Sequence, residues 1–127
     1  MKNSKSNDLH RWAAVLGATG VAAGAFGAHA LKDVLAKRGT TSSWNTAVFY
    51  QLMHATAILA LGPEANKIAG HLMGVGTLLF SGSLYALSLG YGPKALLGPS
   101  TPIGGLFMIG GWIAIGFSSH VVKGKEQ

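Results

Sequence analysis

Histidine, tyrosine and glutamine are the side chains of this sequence that combine useful chemistry with a position inside uncharged stretches. Gln51 and His54 share one stretch, and Tyr50 lies one helical turn before His54. Imidazole can relay a proton, bind haem or another metal, or contact a substrate, whereas phenol and amide groups can hold a bound molecule by hydrogen bonds. Together with His29 and Tyr85, these residues are the candidates for a cofactor-binding site.

A structural role competes with every functional role for His54. A neutral imidazole hydrogen-bonded to Tyr85, Gln51 or a backbone carbonyl would clamp one helix to another, which is a common use of polar residues between membrane helices. A haem held by His29 and His54 is a further hypothesis, although ideal placement on two antiparallel helices leaves these imidazoles at different depths. The sequence identifies no particular cofactor and no metal site.

Composition excludes several kinds of catalytic site. The chain has no cysteine, so disulfides, thiolate nucleophiles and cysteine-ligated metals are excluded. The carboxylates of Asp8, Asp33, Glu64 and Glu126 lie at predicted helix ends or in the tails. Because the sequence offers no carboxylate pair, no nucleophile with its base and no metal cluster, we expect no enzymatic activity.

Charge is absent from four long stretches, each of which is long enough to cross a bilayer. Only 11% of the residues are charged and 49% are hydrophobic, whereas a soluble domain usually has about 25% charged residues. A spanning helix needs roughly 20 mostly apolar residues. The sequence therefore predicts an all-α integral membrane protein, in which residues 1–127 form a single four-helix transmembrane bundle with short loops. The predicted spans are residues 12–31, 43–61, 67–89 and 102–122.

The ends of the predicted helices follow from capping and amphipathic patterns. Residues 31–37 are amphipathic, with apolar residues at 31, 34 and 35, and this spacing predicts a short interfacial helix. The polar residues 39–43 are expected to supply the N-cap of the second span. For the fourth span, Thr101 is the predicted N-cap and Pro102 the first helical residue, where its missing N–H costs nothing.

Four spans would place the N- and C-termini on the same side of the membrane. That side carries six Lys and Arg residues and the other side four, so the positive-inside rule favours termini in the cytoplasm or an organellar matrix. The net charge of +6 is scattered over helix ends. This distribution favours contact with lipid headgroups rather than nucleic acid. A bacterial inner membrane or a mitochondrial or plastid membrane fits these features.

Small residues follow the predicted helices in rows that indicate close helix packing. Without a strong hydrophobic drive between helices, small side chains stabilise a membrane bundle by letting backbones approach. The row on the first span serves either as an internal contact or as a docking face for another subunit. The predicted helix-packing residues are Gly17, Gly20, Gly24, Gly27, Gly70, Gly74, Ser81, Gly104 and Gly111.

The second span has one face suited to the bundle and one suited to lipid. The face predicted to point inward holds Trp44, Ala47, Gln51, His54 and Ile58. The face predicted to contact lipid holds Phe49, Leu52 and Met53. Trp12, Trp44, Tyr91 and Trp112 are expected to be interfacial anchors or core residues. His71 and His120 lie near helix ends, and we assign them no role.

Four motifs in these spans resemble a known family. They are GAFGAH at residues 24–29, WNTAVFYQLMHA at 44–55, FSGSLY at 80–85 and GPSTPIGG at 98–105. Their order and spacing are similar to those of the small four-span membrane family catalogued as domain of unknown function 423, called transmembrane protein 256 in animals. The resemblance extends from about residue 12 to residue 117. It implies a four-helix protein of bacterial or mitochondrial membranes and brings no established activity.

Three functions remain open for such a protein. We favour an accessory or scaffolding subunit, which contacts membrane lipid and other membrane-protein subunits of a larger, energy-transducing complex. The first alternative is a small-solute transporter or channel, in which His54 would be the only ionisable group deep in the membrane. The second alternative is a haem-, pigment- or quinone-binding protein that uses His29, Tyr50 or His54. Binding to nucleic acid is not expected.

Overall fold

Helices account for nearly all of the computed structural model, which describes residues 4–61 and 67–125 and the side chains of residues 8–61 and 67–117. They are α1 (Ser4–Ala28), α2 (Lys32–Arg38), α3 (Thr41–Ala60), α4 (Lys67–Leu89) and α5 (Lys94–Lys125). No strand occurs in this part of the chain. The all-α prediction is therefore confirmed.

Two of these helices are long and apolar enough to cross a membrane on their own. They are Lys67–Leu89 and, within α5, Lys94–Phe117. The segments Asp8–Ala28 and Lys32–Arg38, which meet at a bend of 74°, form a third candidate if they are counted as one broken span. The helix α3 is not among these candidates, because hydroxyl and amide side chains occupy much of its first half.

The helices pack in an order that follows the chain. α1 packs against α3, α3 against α4, and α4 against α5, whereas α1 and α4 touch over a short length. Gly70 of α4 lies against Leu9 of α1, and Gly111 of α5 lies against Ala69 of α4. The start of α1, the start of α4 and the later part of α5 therefore lie at the same end of the bundle.

The first predicted span ends earlier than expected. The helix α1 stops at Ala28 rather than residue 31, and α2 follows after a three-residue turn, where the sequence predicted an amphipathic helix. α2 buries Leu35 completely and ends at Gly39, whose φ of 68° needs the conformational freedom of glycine. Arg38 Nε then donates a hydrogen bond to the Ser88 carbonyl at 3.0 Å, which ties α2 to the last turn of α4.

The start of α3 confirms the position of its predicted N-cap but not the capping bond. The helix begins at Thr41 and its N-cap residue is Thr40, which makes no side-chain capping bond. Instead, Thr40 Oγ1 donates to the Ser88 carbonyl at 2.8 Å. The polar turn therefore satisfies a carbonyl at the C-terminal end of α4, which has no partner within its own helix, rather than the first N–H groups of α3.

The start of α5 corrects another prediction. The helix begins at Lys94, so Thr101 is not an N-cap, and Pro99 and Pro102 lie inside the helix. A proline removes one N–H and so leaves one carbonyl a turn earlier without its usual partner. The carbonyls affected are those of residues 95 and 98, and Ser100 Oγ donates to a different carbonyl in the same turn, that of Leu96, at 2.8 Å. The helix nevertheless continues through both prolines as far as Lys125.

Candidate functional site

Gln51 lies at the centre of a hydrogen-bond network that joins three helices. It is 5% exposed on α3. Its Nε2 donates to the Leu16 carbonyl at 2.9 Å and to the Thr19 hydroxyl at 2.7 Å, both on α1. Its Oε1 accepts a hydrogen bond from the Tyr85 hydroxyl of α4 at 2.7 Å. The amide therefore uses both of its N–H groups and at least one acceptor position within the bundle.

His54 lies one turn further along α3 and uses both ring nitrogens. Trp112 Nε1 of α5 lies 3.1 Å from His54 Nε2. Because an indole N–H can only donate, Nε2 must be the acceptor. Nδ1 then carries the ring proton and donates to the Tyr50 carbonyl at 2.8 Å. This arrangement fixes a neutral tautomer, and a metal could bind either nitrogen only after a hydrogen bond is broken.

The inward face predicted for α3 is confirmed. Trp44, Ala47, Gln51, His54 and Ile58 are all buried. The outward face is predicted correctly at Phe49 and Met53, which are exposed. The prediction is wrong for Leu52, whose side chain lies against Gly20 of α1. A bare glycine backbone leaves a hollow that a neighbouring leucine can occupy.

The structure groups four of the five candidate site residues and separates the fifth. Tyr50, Gln51, His54 and Tyr85 lie around the α3–α4 contact. The rings of Tyr50 and His54 stack with centroids 6.1 Å apart.

His29, by contrast, is exposed just beyond the end of α1. Gly27 lies against Trp44, so His29 is near the level of Trp44, ten residues or about 15 Å along the axis from His54. Two imidazoles sharing one metal need nitrogens about 4 Å apart, so this geometry does not fit the haem pair.

The predicted packing residues contact several different partners. Gly20, Gly24 and Gly27 of α1 lie against α3, whereas a Cβ at Gly17 would meet nothing within 4 Å. Gly70 and Gly74 of α4 lie against Leu9 and Trp12 of α1. Gly104 and Gly111 of α5 lie against the backbone and side chains of α4. Ser81 Oγ donates to the Ala47 carbonyl at 2.7 Å, across the α3–α4 contact.

Tryptophans make contacts that sequence reasoning missed. Trp12 Nε1 of α1 donates to His71 Nδ1 of α4 at 3.0 Å, so His71, to which we assigned no role, has a partner. Trp44 Nε1 of α3 donates to the Ala23 carbonyl of α1 at 2.9 Å. With Trp112, each tryptophan bridges two helices through its indole N–H. The only sequence signal is the apolar surroundings of each indole, because a buried N–H needs an acceptor.

Metal ligands, carboxylates and unpaired polar groups could also support chemistry in the described part of the chain. No group of three or more His, Cys, Asp or Glu residues there could hold a metal ion. Asp8 and Asp33 lie on the surface, and Glu64 and Glu126 lie outside the described residues. The Ser88 hydroxyl is the one buried side-chain oxygen or nitrogen among the described residues that has no hydrogen-bond partner.

Two comparisons with known proteins identify the family. The model of a family described as "Protein of unknown function (DUF423)" matches residues 23–105. A UPF0382 membrane protein of Schizosaccharomyces pombe is 40% identical over 107 residues, which cover 79% of this chain and 91% of the relative. The chain belongs to the DUF423 family. The resemblance carried by the four motifs is thus confirmed.

Bacterial relatives of this DUF423 protein are equally similar. A UPF0382 membrane protein of Haemophilus influenzae is 40% identical over 110 residues, covering 81% of this chain and 86% of the relative. A UPF0382 membrane protein of Staphylococcus haemolyticus is 38% identical over 110 residues, covering 82% of this chain and 88% of the relative. No solved structure matches the chain. These relatives are named as membrane proteins in bacteria and yeast, and the DUF423 protein described here is likewise a membrane protein.

Proposed function

We propose that this DUF423 protein is a four-span accessory subunit, without enzymatic activity, that packs against other membrane-protein subunits. The observation that carries the proposal is a contrast between the two outer helices. The exposed face of α5 is bulky along its length, whereas that of α1 contains a strip of alanines. The exposed residues of α5 include Ile103, Leu106, Ile109, Ile113 and Phe117. On α1 the exposed alanines are Ala14, Ala18, Ala22 and Ala25, and the larger exposed side chains of Val15, Val21 and Phe26 border them.

The two faces suit different neighbours in a membrane. Interfaces between membrane helices are enriched in Gly, Ala, Ser and Thr, because small side chains let two backbones approach closely. The glycines Gly20, Gly24 and Gly27 of α1 are already covered by α3. The alanine face is a second small surface on the same helix, and none of the helices in the described part of the chain covers it. A helix of another subunit would fit there, while the α5 face suits lipid.

The intramembrane polar residues also favour a structural role. Gln51, Tyr85 and Ser81 are hydrogen-bonded to neighbouring helices, and both nitrogens of His54 are used. A transporter in which His54 exchanges protons, or a protein that binds haem through His54, would need to break the bond to Trp112. We therefore rank the transporter and the cofactor-binding protein below the accessory subunit.

Site-directed cross-linking in native membranes tests the proposal. Because the natural chain contains no cysteine, a single cysteine can be placed on each outer face: Ala18→Cys on α1 and, as the matched control, Ile109→Cys on α5. A photoreactive maleimide attached to Ala18→Cys should give a discrete product with a second, different protein, and Ile109→Cys should give lipid adducts. Equal products at the two positions would contradict the proposal, as would a product with twice the mass of this chain.

The four-span topology needs a separate measurement. We expect α1, α3, α4 and α5 all to cross the bilayer, with both termini in the cytoplasm or matrix. Short epitope tags at the N- and C-terminus should then be protected from protease in intact cells or mitoplasts and be cleaved together after permeabilisation. Protection of one tag and cleavage of the other would show an odd number of spans. In that case α3, which is not among the candidate spans, would be the helix that does not cross the bilayer.

A further inference from the structure

A cleft opens between α1 and α4 beyond the point where these helices touch. Near their N-terminal ends, the Leu9 side chain packs on Gly70 and the Trp12 ring packs on Gly74. Further along, the two helices leave a cavity of about 360 Å³ between them, with Gln51 of α3 among its lining residues. This volume falls in the range of small-molecule sites, roughly 300–1,000 Å³.

The lining of the cleft is apolar with a few polar groups. Val15 and Leu16 of α1 and Leu78 of α4 contribute apolar surface. The polar lining residues are Thr19, Gln51, Thr77, Ser81 and Tyr85. A cavity of this kind suits a molecule that is mostly hydrocarbon and has one polar group.

Every side-chain donor on the α1 and α3 walls is already used. Thr19 Oγ1 donates to the Val15 carbonyl at 2.6 Å. The two N–H groups of Gln51 donate to the Leu16 carbonyl and to Thr19 Oγ1. Neither residue has an N–H or O–H left for a bound molecule.

The donors on the α4 wall are used as well. Thr77 Oγ1 donates to the Met73 carbonyl at 2.7 Å, and Ser81 Oγ donates to the Ala47 carbonyl at 2.7 Å. The Tyr85 hydroxyl donates to Gln51 Oε1. What these residues retain are acceptor lone pairs on hydroxyl and amide oxygens, because each such oxygen has two acceptor positions.

We propose that the cleft binds a membrane-dissolved alcohol, that is, a molecule with one hydroxyl group on an apolar chain or ring. The hydroxyl donates to the hydroxyl oxygen of Thr19 or Tyr85, the two polar lining residues that are not buried, and the apolar part fills the space between Val15 and Leu78. A ketone, ester or quinone of the same shape has acceptors only and finds no donor in the lining, so its polar group stays unpaired. The site is separate from the alanine face of α1 and does not depend on the proposed accessory role.

Two photoreactive probes with the same hydrocarbon chain test this preference with the wild-type protein. The first is a long-chain primary alcohol with a diazirine in its chain, and the second is its methyl ether, which accepts but does not donate. The protein is reconstituted in nanodiscs of phosphatidylcholine, a lipid that has no hydroxyl or amine donor of its own. Labelling of the α1 and α4 peptides is then measured by mass spectrometry. We expect the alcohol to label the cleft about three- to tenfold more than the ether, the gain expected for one hydrogen bond.

A blocking variant and its control locate the site. Gly82 lines the cleft, and a Cβ at this position would meet nothing within 4 Å. The variant Gly82→Leu should therefore fold and fill the cleft, and it should abolish the preferential labelling by the alcohol. Gly98 on α5 has equally open space but does not line the cleft, so Gly98→Leu should label as the wild type does.

Two results would overturn the proposal. Equal labelling by alcohol and ether would mean that the cleft accepts any acyl chain. If the alcohol labels the cleft no more strongly than it labels the lipid-facing side of α5, then no membrane-dissolved alcohol binds in the cleft. If Gly82→Leu fails to fold, the ratio of cleft labelling by the alcohol to labelling by the ether in the wild-type protein still tests the proposal.

Discussion

The α1–α3 and α4–α5 contacts both depend on glycine, but glycine acts differently in each. Between α1 and α3, glycine leaves a hollow that a side chain fills: the Trp44 ring lies over Gly27, and Leu52 lies over Gly20. Between α4 and α5, glycine brings two backbones together. A Cβ at Gly76 would lie 2.7 Å from the Gly104 carbonyl oxygen and 2.8 Å from the backbone nitrogen of Met108.

This difference shows that a row of glycines does not by itself indicate how well a helix contact tolerates a larger residue at those positions. A side chain in a hollow can turn to another rotamer, whereas a backbone can yield only if a whole helix moves. The interhelical side-chain hydrogen bonds add to the first type of contact, because Trp44 and Gln51 reach backbone carbonyls of α1. The following substitutions test the contrast, in order of decreasing expected effect.

Gly104→Ala should be the most damaging change. A Cβ at this position would lie 2.6 Å from the Gly76 carbonyl oxygen and close to the backbone nitrogen of Phe80. Because neither can move alone, α5 must shift away from α4. We expect a loss of about 3 kcal/mol in the free energy of unfolding, measured by denaturation in detergent micelles. Gly105→Ala is the matched control, since its nearest neighbour would be Phe80 Cδ2 at 3.8 Å, and it should change stability little.

Gly27→Ala should have a smaller but clear effect. The added methyl group would lie 2.5 Å from Trp44 Cδ1, so the indole must move and its bond to the Ala23 carbonyl must lengthen or break. We expect a loss of about 2 kcal/mol. Gly24→Ala, where the nearest atom is Val48 Cγ1 at 3.3 Å, should cost clearly less. If the two variants are equally stable, the indole is not held as tightly as the structure indicates.

Tyr85→Phe tests the hydrogen bonds of the α1–α3–α4 group apart from its packing. The change removes the donor to Gln51 Oε1 and leaves the amide oxygen without that partner. Bonds of this kind between membrane helices contribute about 0.6 kcal/mol on average and up to about 1.7, so we expect a loss of about 1 kcal/mol. Tyr91→Phe, at an exposed tyrosine, serves as control. No difference between the two would indicate that lipid or water replaces the lost partner.

Gly20→Ala should have the smallest effect of the series, below about 1 kcal/mol. The nearest atoms are Leu52 Cδ2 at 2.8 Å and Leu52 Cγ at 3.1 Å, and the end of a leucine can turn away. Gly17→Ala, with nothing within 4 Å, should leave the unfolding free energy unchanged or slightly raised. A loss at Gly20 as large as that at Gly104 would contradict the distinction between the two types of contact.

The faces of α3 could be predicted from the sequence, but the partners of its residues could not. A period of 3.6 residues places Gln51 and His54 on one side of a helix, and a polar group in hydrocarbon has to point inward. That reasoning says nothing about which helix lies opposite. The bond from Trp112 to His54 joins residues 58 positions apart, and no local pattern encodes such a distance.

The helix ends show where local signals mislead. The pair Thr101 and Pro102 is a standard start signal, yet α5 begins about two turns earlier, at Lys94, and contains both Pro99 and Pro102. The amphipathic pattern of residues 31–37 predicted α2, but the end of α1 at Ala28 leaves no clear mark in a stretch rich in alanine and glycine. The cleft between α1 and α4 could not be predicted from the sequence either, because it depends on how the two helices diverge in the folded structure.

The three tryptophans have a consequence for observing this protein. Trp12 joins α1 to α4, Trp44 joins α3 to α1, and Trp112 joins α5 to α3, each through one indole proton. The chain contains no other tryptophan. Its indole NMR spectrum should therefore show one resonance for each of these three junctions, so that the order in which the helices separate can be followed without attaching any label.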